Sequence, residues 1–311
     1  MRRPLALLTG FLGSGKTTLL NRLLRDPAME DAAVIVNEFG AVGIDGLLVE
    51  RVDEATVLLE SGCVCCTVRG DLIETLARLA ARGVSRAVVE TTGLADPAPV
   101  AHTLMTHEGT AAAWHLAAIV ATLDAVHGPA TLTGRPEAAR QVAMADAVVV
   151  TKGDLADAAS ARAAARALAP AAALHDARDA PGPAALFHAG PGHRGAADWL
   201  RADVPGAHGG IETFALRWTH PLHWEDVANA MDLLVQLHGQ RLLRVKGLLD
   251  IEGHPRPVAI HGVRHLFHPP ANLPRWSSPQ RSDLVFITEG LARARVEVLL
   301  APILAPRRLA A

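Results

Sequence analysis

Only three lysines occur in the sequence, Lys16, Lys152 and Lys246, and arginine carries nearly all the remaining positive charge. Two of the three fall within motifs whose chemistry calls for a flexible ammonium rather than a planar guanidinium. Cysteine is as scarce: Cys63, Cys65 and Cys66 lie within four residues of one another, and there are no others. An odd cluster so tight is a poor disulfide framework for a reducing compartment, which leaves metal binding or redox chemistry. There is no excess of either charge, with a formal net charge of -2 and a pI near 6.7, so nothing points to a basic face for nucleic acid. Arg, Asp, His or Gly interrupts every apolar run before it reaches the ~18 to 20 residues of a membrane span. The opening MRRPLALLTG has the look of a short signal peptide, yet a phosphate-loop motif begins inside it and speaks against cleavage there. A cytoplasmic protein without nucleic-acid or membrane partners is expected.

What is present begins with Leu5 to Leu20, LALLTGFLGSGKTTLL. A short apolar run ends at Gly10, the next residues spell G-x-x-x-x-G-K-T, and Leu19, Leu20, Leu23 and Leu24 continue at helical period. Strand, glycine loop and helix in that order are the context a P-loop requires. Gly13 and Gly15 would let the backbone curl around Ser14 so that its N–H groups face an anion, with the positive end of the helix behind them. Lys16 would reach the β- and γ-phosphates, Thr17 would ligate Mg²⁺, and Thr18 would complete the cradle.

Ala33 to Asn37 reads as a buried strand and opens into EFGAVGIDG, which carries Glu38 and Asp45 in the position of a nucleotide-sensing switch. Thr56 to Glu60 is a further strand, followed by the C-x-C-C cluster. Thiolates suit Zn²⁺, Cu(I) or Co²⁺, and three local ligands leave an open shell for Glu38, a histidine or water to complete. A helix is expected over 68–82, then a strand in SRAVVETTGL whose Glu90 would hold Mg²⁺ through water and whose Gly93 N–H would sense the γ-phosphate. A turn follows it. Leu116 to Leu123 is another strand, ending at Asp124, with a helix over 136–145. AVVV then runs into Thr151-Lys152-Gly153-Asp154 at the carboxyl end of a strand, where α/β ligand sites lie. Asp154 would accept from the N1–H and 2-amino groups of guanine while the Lys152 stem covers the base, which selects GTP over ATP. A helix is predicted over 160–173, and the Pro-, Gly- and His-rich stretch 176–210 is predicted to divide two domains. The last hundred residues mix strands and helices without βαβ regularity, so a small α+β domain is expected. For its many histidines, among them His261, His265 and His268, hydrogen bonding is favoured over metal capture.

Taken together, GFLGSGKTTLL, NEFGAVGIDG, GCVCC, ETTGLADP, TKGD and RVKGLLDIEG resemble the CobW-type GTPase metallochaperones over nearly the whole chain. The resemblance implies an α/β P-loop domain over residues 1–205, with a mostly parallel sheet flanked by helices, and a smaller α+β domain over 210–311. It also implies Mg-dependent hydrolysis of GTP to GDP and delivery of zinc or cobalt to a client metalloprotein. By that similarity Lys16, Thr17 and Glu90 serve phosphate and magnesium, Lys152 and Asp154 the base, and Cys63, Cys65 and Cys66 the metal. Asp45 is assigned the attacking water. Two departures stand out: Ala41 follows the N-E-F-G tetrad where the family often has Glu, and Thr151 replaces Asn, which is expected to lose one contact holding the loop. A zinc buffer or sensor that uses nucleotide only to fix its conformation is the alternative from another class. TKGD argues against a third, a P-loop kinase.

Overall fold

In the computed structural model the chain divides into two compact units, Met1–Arg166 with Ala172–Gly190, and Ala167–Ala171 with Pro191–Ala311. The described residues are 2–37, 56–59, 67–179, 182–183, 187, 206–208, 210–276 and 279–306.

The first unit is built on β1 (Arg3–Gly10), β2 (Ala32–Asn37), β3 (Thr56–Leu59), β4 (Arg86–Glu90), β5 (Trp114–Asp124), β6 (Ala147–Thr151) and β7 (Ala173–Asp176). All seven pair in parallel in the order β3-β2-β4-β1-β5-β6-β7. Between them run α1 (Lys16–Leu24), α2 (Thr67–Ala81), α3 (Pro97–Thr106), α4 (Glu108–Ala113), α5 (Gly128–Gly134), α6 (Pro136–Ala143) and α7 (Ala159–Leu168). Parallel strands covered on both faces read as continuous apolar runs rather than alternating ones, and β6 is buried at every position. On one face of the sheet, α1 buries Leu19, Leu20, Leu23 and Leu24 in a cluster with Ala6, Leu8, Val34, Val88, Val120 and Val149. β2, β3 and β4 all lie to one side of β1, and β5 lies to the other. The reversal of winding beside β1 opens the crevice outside the carboxyl ends in which α/β proteins bind ligands.

The structure departs from the sequence expectations at one helix. The helix expected over 160–173 stops at Leu168, and Ala173 already belongs to β7. Pro170 lies just beyond the last helical residue, where its ring and missing N–H bar continuation, and the open edge of β6 supplies a ladder for the alanines that follow. The segment 136–145 is preceded by a separate short helix, because Pro136 restarts the chain after α5. The expected turn runs to Asp96, which accepts a hydrogen bond from the Ala98 N–H at 2.9 Å and caps α3, with Pro97 at its first position.

The second unit is an antiparallel sheet in the order β12-β11-β10-β14-β9-β8, with β13 paired to β11. Its strands are β8 (Gly206–His208), β9 (Ile211–Trp218), β10 (Leu242–Leu249), β11 (Val258–Val263), β12 (Leu266–Phe267), β13 (Ala271–Asn272) and β14 (Ser282–Glu289). Two helices, α8 (Trp224–His238) and α9 (Arg293–Leu300), bury Val227, Met231, Leu234, Val296 and Leu300 against Phe214, Val245 and Phe286. Helices segregated to one face of an antiparallel sheet make this the α+β domain expected. At its centre the rings of Phe214 and Phe286 stack with centroids 5.4 Å apart. Phe286→Ala is expected to cost about 3 to 5 kcal/mol through the cavity it leaves. A lowered urea midpoint followed by Trp218 fluorescence would show it, since Trp218 packs against the same core.

Candidate functional site

The carboxyl ends of four adjacent strands bring the predicted nucleotide residues together. Leu8 of β1 is in register with Glu90 of β4 and with Val120 of β5, and Asp124 of β5 with Thr151 of β6. Past this level the chain leaves β1 through Phe11–Ser14 and enters α1 at Lys16. Gly13 and Gly15 take φ of +70° and +90°, the left-handed conformations that curl the loop at no cost to glycine. Gly15 is the N-cap of α1 and has no side chain to cap with, which leaves the first helical N–H groups without a side-chain cap.

Lys16 is buried, and its Nζ donates to the carbonyl oxygens of Gly10 at 2.9 Å and Phe11 at 3.3 Å. The ammonium is thus held inside its own loop. Thr17 Oγ1 donates to Glu90 Oε1 at 3.2 Å, so the two residues expected to serve magnesium are in contact. Both present oxygen donors, the hard-ligand chemistry that Mg²⁺ prefers, and Glu90 is only 4% exposed.

The loop that follows Glu90 packs directly on the P-loop. A Cβ built on Gly93 would stand 2.7 Å from the Leu12 backbone nitrogen, an approach only glycine permits. The opposite side of this loop is held by Gln141 of α6, which is wholly buried and donates through Nε2 to the carbonyls of Gly93 at 3.1 Å and Ala95 at 2.9 Å. No sequence signal pointed to Gln141; a glutamine on a helix is ordinary until the fold faces it toward a loop. A cavity of about 200 Å³ adjoins this region, with Leu12, Gly13, Gln141, Asp124 and Lys152 among its walls.

The guanine motif is tied to the phosphate loop through hydroxyls. Thr151 Oγ1 donates to the Ser14 carbonyl at 2.7 Å, and the Ser14 and Thr122 hydroxyls are hydrogen-bonded at 2.6 Å. Thr151 therefore holds the loop through a contact of its own. Lys152, at φ +55°, forms an ion pair with Asp124. Burial works to raise the Asp124 pKa, but the Lys152 hydrogen bond and the N–H groups of Val126 and His127 outweigh it and hold the carboxyl below its ordinary range. Asp124 was legible only as the end of a strand; its partnership with Lys152 needed β5 and β6 side by side. Asp154 is exposed on the turn that follows.

Next to that turn, Asp176 at the end of β7 binds two arginines. Arg178 donates from Nε to Oδ1 at 3.1 Å and from Nη2 to Oδ2 at 2.9 Å, and Arg162 adds a bond to Oδ2 at 2.7 Å. The Arg178 hydrogen bond above all lowers the Asp176 pKa to about 2. Glu38, Asp45, Cys63, Cys65 and Cys66 lie outside the described residues. In sequence the cysteines fall between Leu59, which ends β3 on the carboxyl edge of the sheet, and Thr67, which begins α2. Among the described residues no group of three or more His, Cys, Asp or Glu gathers to hold a metal. His261 instead shares a hydrogen bond with Arg244 at 3.0 Å and packs edge-on against His268.

Residues 4–175 match the model of the CobW/HypB/UreG nucleotide-binding domain, and residues 211–304 match the cobalamin synthesis protein cobW C-terminal domain. The chain is 32% identical over 307 residues to the zinc chaperone YjiA of Escherichia coli, covering 90% of this chain and 92% of that protein. Over 108 residues it is 40% identical to the zinc chaperone CobW of Pseudomonas aeruginosa, 31% of this chain and 29% of the relative. Over 114 residues it is 39% identical to the zinc-regulated GTPase metalloprotein activator 1 of Dictyostelium discoideum, 32% and 24% of the two chains. The crystal structure of Zn(II)-bound YjiA GTPase from E. coli superposes with a TM-score of 0.70 at 24% identity, covering 97% of this chain and 99% of that one, a likeness of fold.

Asp176 also generates a pH prediction. Its carboxyl has a pKa of about 2 in the folded chain against 3.8 ordinarily, so its ionised form contributes stability that is complete above about pH 4. That contribution is lost as pH falls toward 2. The fall in urea midpoint between pH 4 and 2 is expected to be shallower in Asp176→Asn than in the wild type; equal slopes would contradict the assignment.

Proposed function

The chain belongs to the CobW/HypB/UreG family, and from that premise we propose that it couples GTP hydrolysis to the delivery of a transition metal, zinc before cobalt, to a client metalloprotein. It is a P-loop GTPase, with residues 1–205 as the catalytic domain and 210–311 as the accompanying domain in our reading. The observation that carries the proposal is the convergence of Lys16, Thr17, Glu90, Thr151 and Lys152 on one sheet edge, held by the Thr151–Ser14 and Thr17–Glu90 hydrogen bonds. In sequence the C-x-C-C cluster follows Leu59, the last residue of β3.

In this reading the N–H groups of residues 13–18 cradle the β- and γ-phosphates, and Lys16 exchanges the Gly10 and Phe11 carbonyls for phosphate oxygens. Thr17 and Glu90 hold Mg²⁺, which supplies neutralisation of charge on the transferring phosphoryl group. The Gly93 N–H senses the γ-phosphate, with Gln141 fixing where that loop rests. Asp154 and Lys152 read the base, and Asp45 orients the attacking water. Cys63, Cys65 and Cys66, with Glu38 as a further ligand, hold the metal as cargo; an open thiolate site releases it when the switch segments relax after hydrolysis. Among the described residues no helix is long and apolar enough to cross a membrane.

Lys16→Ala is expected to abolish GTP turnover while leaving the protein folded, and wild-type activity in that variant would overturn the P-loop assignment. Linkage supplies a second test: Mg·GTP should tighten zinc affinity, and zinc should tighten GTP affinity, by the same factor. Equal zinc affinity with GTP, GDP and no nucleotide would defeat the coupling while leaving the GTPase intact.

A further inference from the structure

Beside the base-reading turn lies an arginine that no motif assigns. Asp176 closes the sheet at β7 with its side chain 1% exposed, and it accepts the Arg178 N–H at 2.9 Å as well as the two guanidinium bonds. A fork engaged through both Nε and Nη2 fixes the plane of the guanidinium as well as its position. Arg162 from α7 holds the same carboxylate from a second direction, so the clamp itself has little freedom. The guanidinium in turn lies against the turn that presents Asp154. A Cβ built on Gly153 would stand 3.0 Å from Arg178 Nε, 3.1 Å from Cζ and 3.3 Å from Nη2. The bare peptide at Gly153 is what lets a clamped arginine come so close. The Asp176 hydrogen bond above all raises the Arg178 pKa, and Asp154 adds a smaller charge interaction, which places its carboxylate within electrostatic reach.

We propose that Arg178 is a positioning residue for base specificity: locked to Asp176, it braces the 152–154 turn so that Asp154 is held ready for the guanine N1–H and 2-amino groups. This rests on the assignment of Asp154 to guanine. The physical reason is preorganisation. Asp154 is exposed on a turn, and a carboxylate that must be ordered on binding forfeits part of the affinity its two hydrogen bonds supply. A fixed guanidinium beside it orders the turn in advance, without touching the phosphates or the attacking water. Lysine would not serve, since a single ammonium cannot reproduce the fork on Asp176.

The test compares the wild type with Arg178→Met and Gly153→Ala, using GTP, inosine triphosphate, which lacks the 2-amino group, and ATP. Wild type should prefer GTP to inosine triphosphate by roughly tenfold or more, the weight of one hydrogen bond to a charged group. In Arg178→Met the KM for GTP should rise about tenfold with kcat within about twofold, and the preference over inosine triphosphate should fall toward unity. Gly153→Ala, which displaces the guanidinium but keeps the Arg178–Asp176 pair, should move in the same direction by less, and it decides the matter if Arg178→Met does not fold. Unchanged KM and unchanged base preference in a folded variant would overturn the role of Arg178 and leave the GTPase reading standing. A wild type that fails to prefer GTP to ATP would instead remove the reading of Asp154 and the inference with it.

Discussion

The hydroxyl of Thr151 donating to the Ser14 carbonyl at 2.7 Å joins two loops that are 137 residues apart in the chain. With the 2.6 Å bond between Ser14 and Thr122, it fastens the phosphate loop to the ends of β5 and β6. Buried hydroxyl bonds of this kind contribute only about 1 kcal/mol each to stability. Their larger effect is positional. A phosphate cradle and a base-reading turn must stand one nucleotide apart, and neither strand pairing nor apolar packing sets that spacing as finely as a short bond between the loops themselves.

The scarce lysines make sense against that frame. Lys16 and Lys152 are both engaged, the first with carbonyls of its own loop and the second with Asp124. In the proposed reading each ammonium is kept by these partners at the point where it meets the nucleotide. Arginine does the opposite work around Asp176, where a rigid fork is wanted and no exchange is required. The division between flexible and fixed cations follows the division between groups proposed to take up ligand and groups that hold the scaffold.

Much of this was legible in one dimension. G-x-x-x-x-G-K-T between an apolar run and a helical period determines strand, loop and helix together, because the spacing is set by the anion it surrounds. Glu90 and the TKGD residues were legible for a related reason: they end strands, and strand ends in a parallel sheet share an edge. The helix boundary at Leu168 and the strand at Ala173 were not, since alanine-rich sequence suits a helix until Pro170 and the open edge of β6 decide otherwise.

By itself, then, the sequence determined the local chemistry: an anion loop, a carboxylate at a strand end, a base motif, a cysteine cluster, and the change in character over the last hundred residues. Only the tertiary structure decided which of these meet and what holds them. Gln141 became a support for the Gly93 loop, Asp124 a partner for Lys152, and Arg178 a neighbour of Gly153 through packing between elements far apart in the chain. The reason is physical: a motif encodes contacts within a few residues, where backbone geometry fixes distance. A side chain reaching across the fold acquires its partner only when strand order and helix placement have brought the two surfaces together.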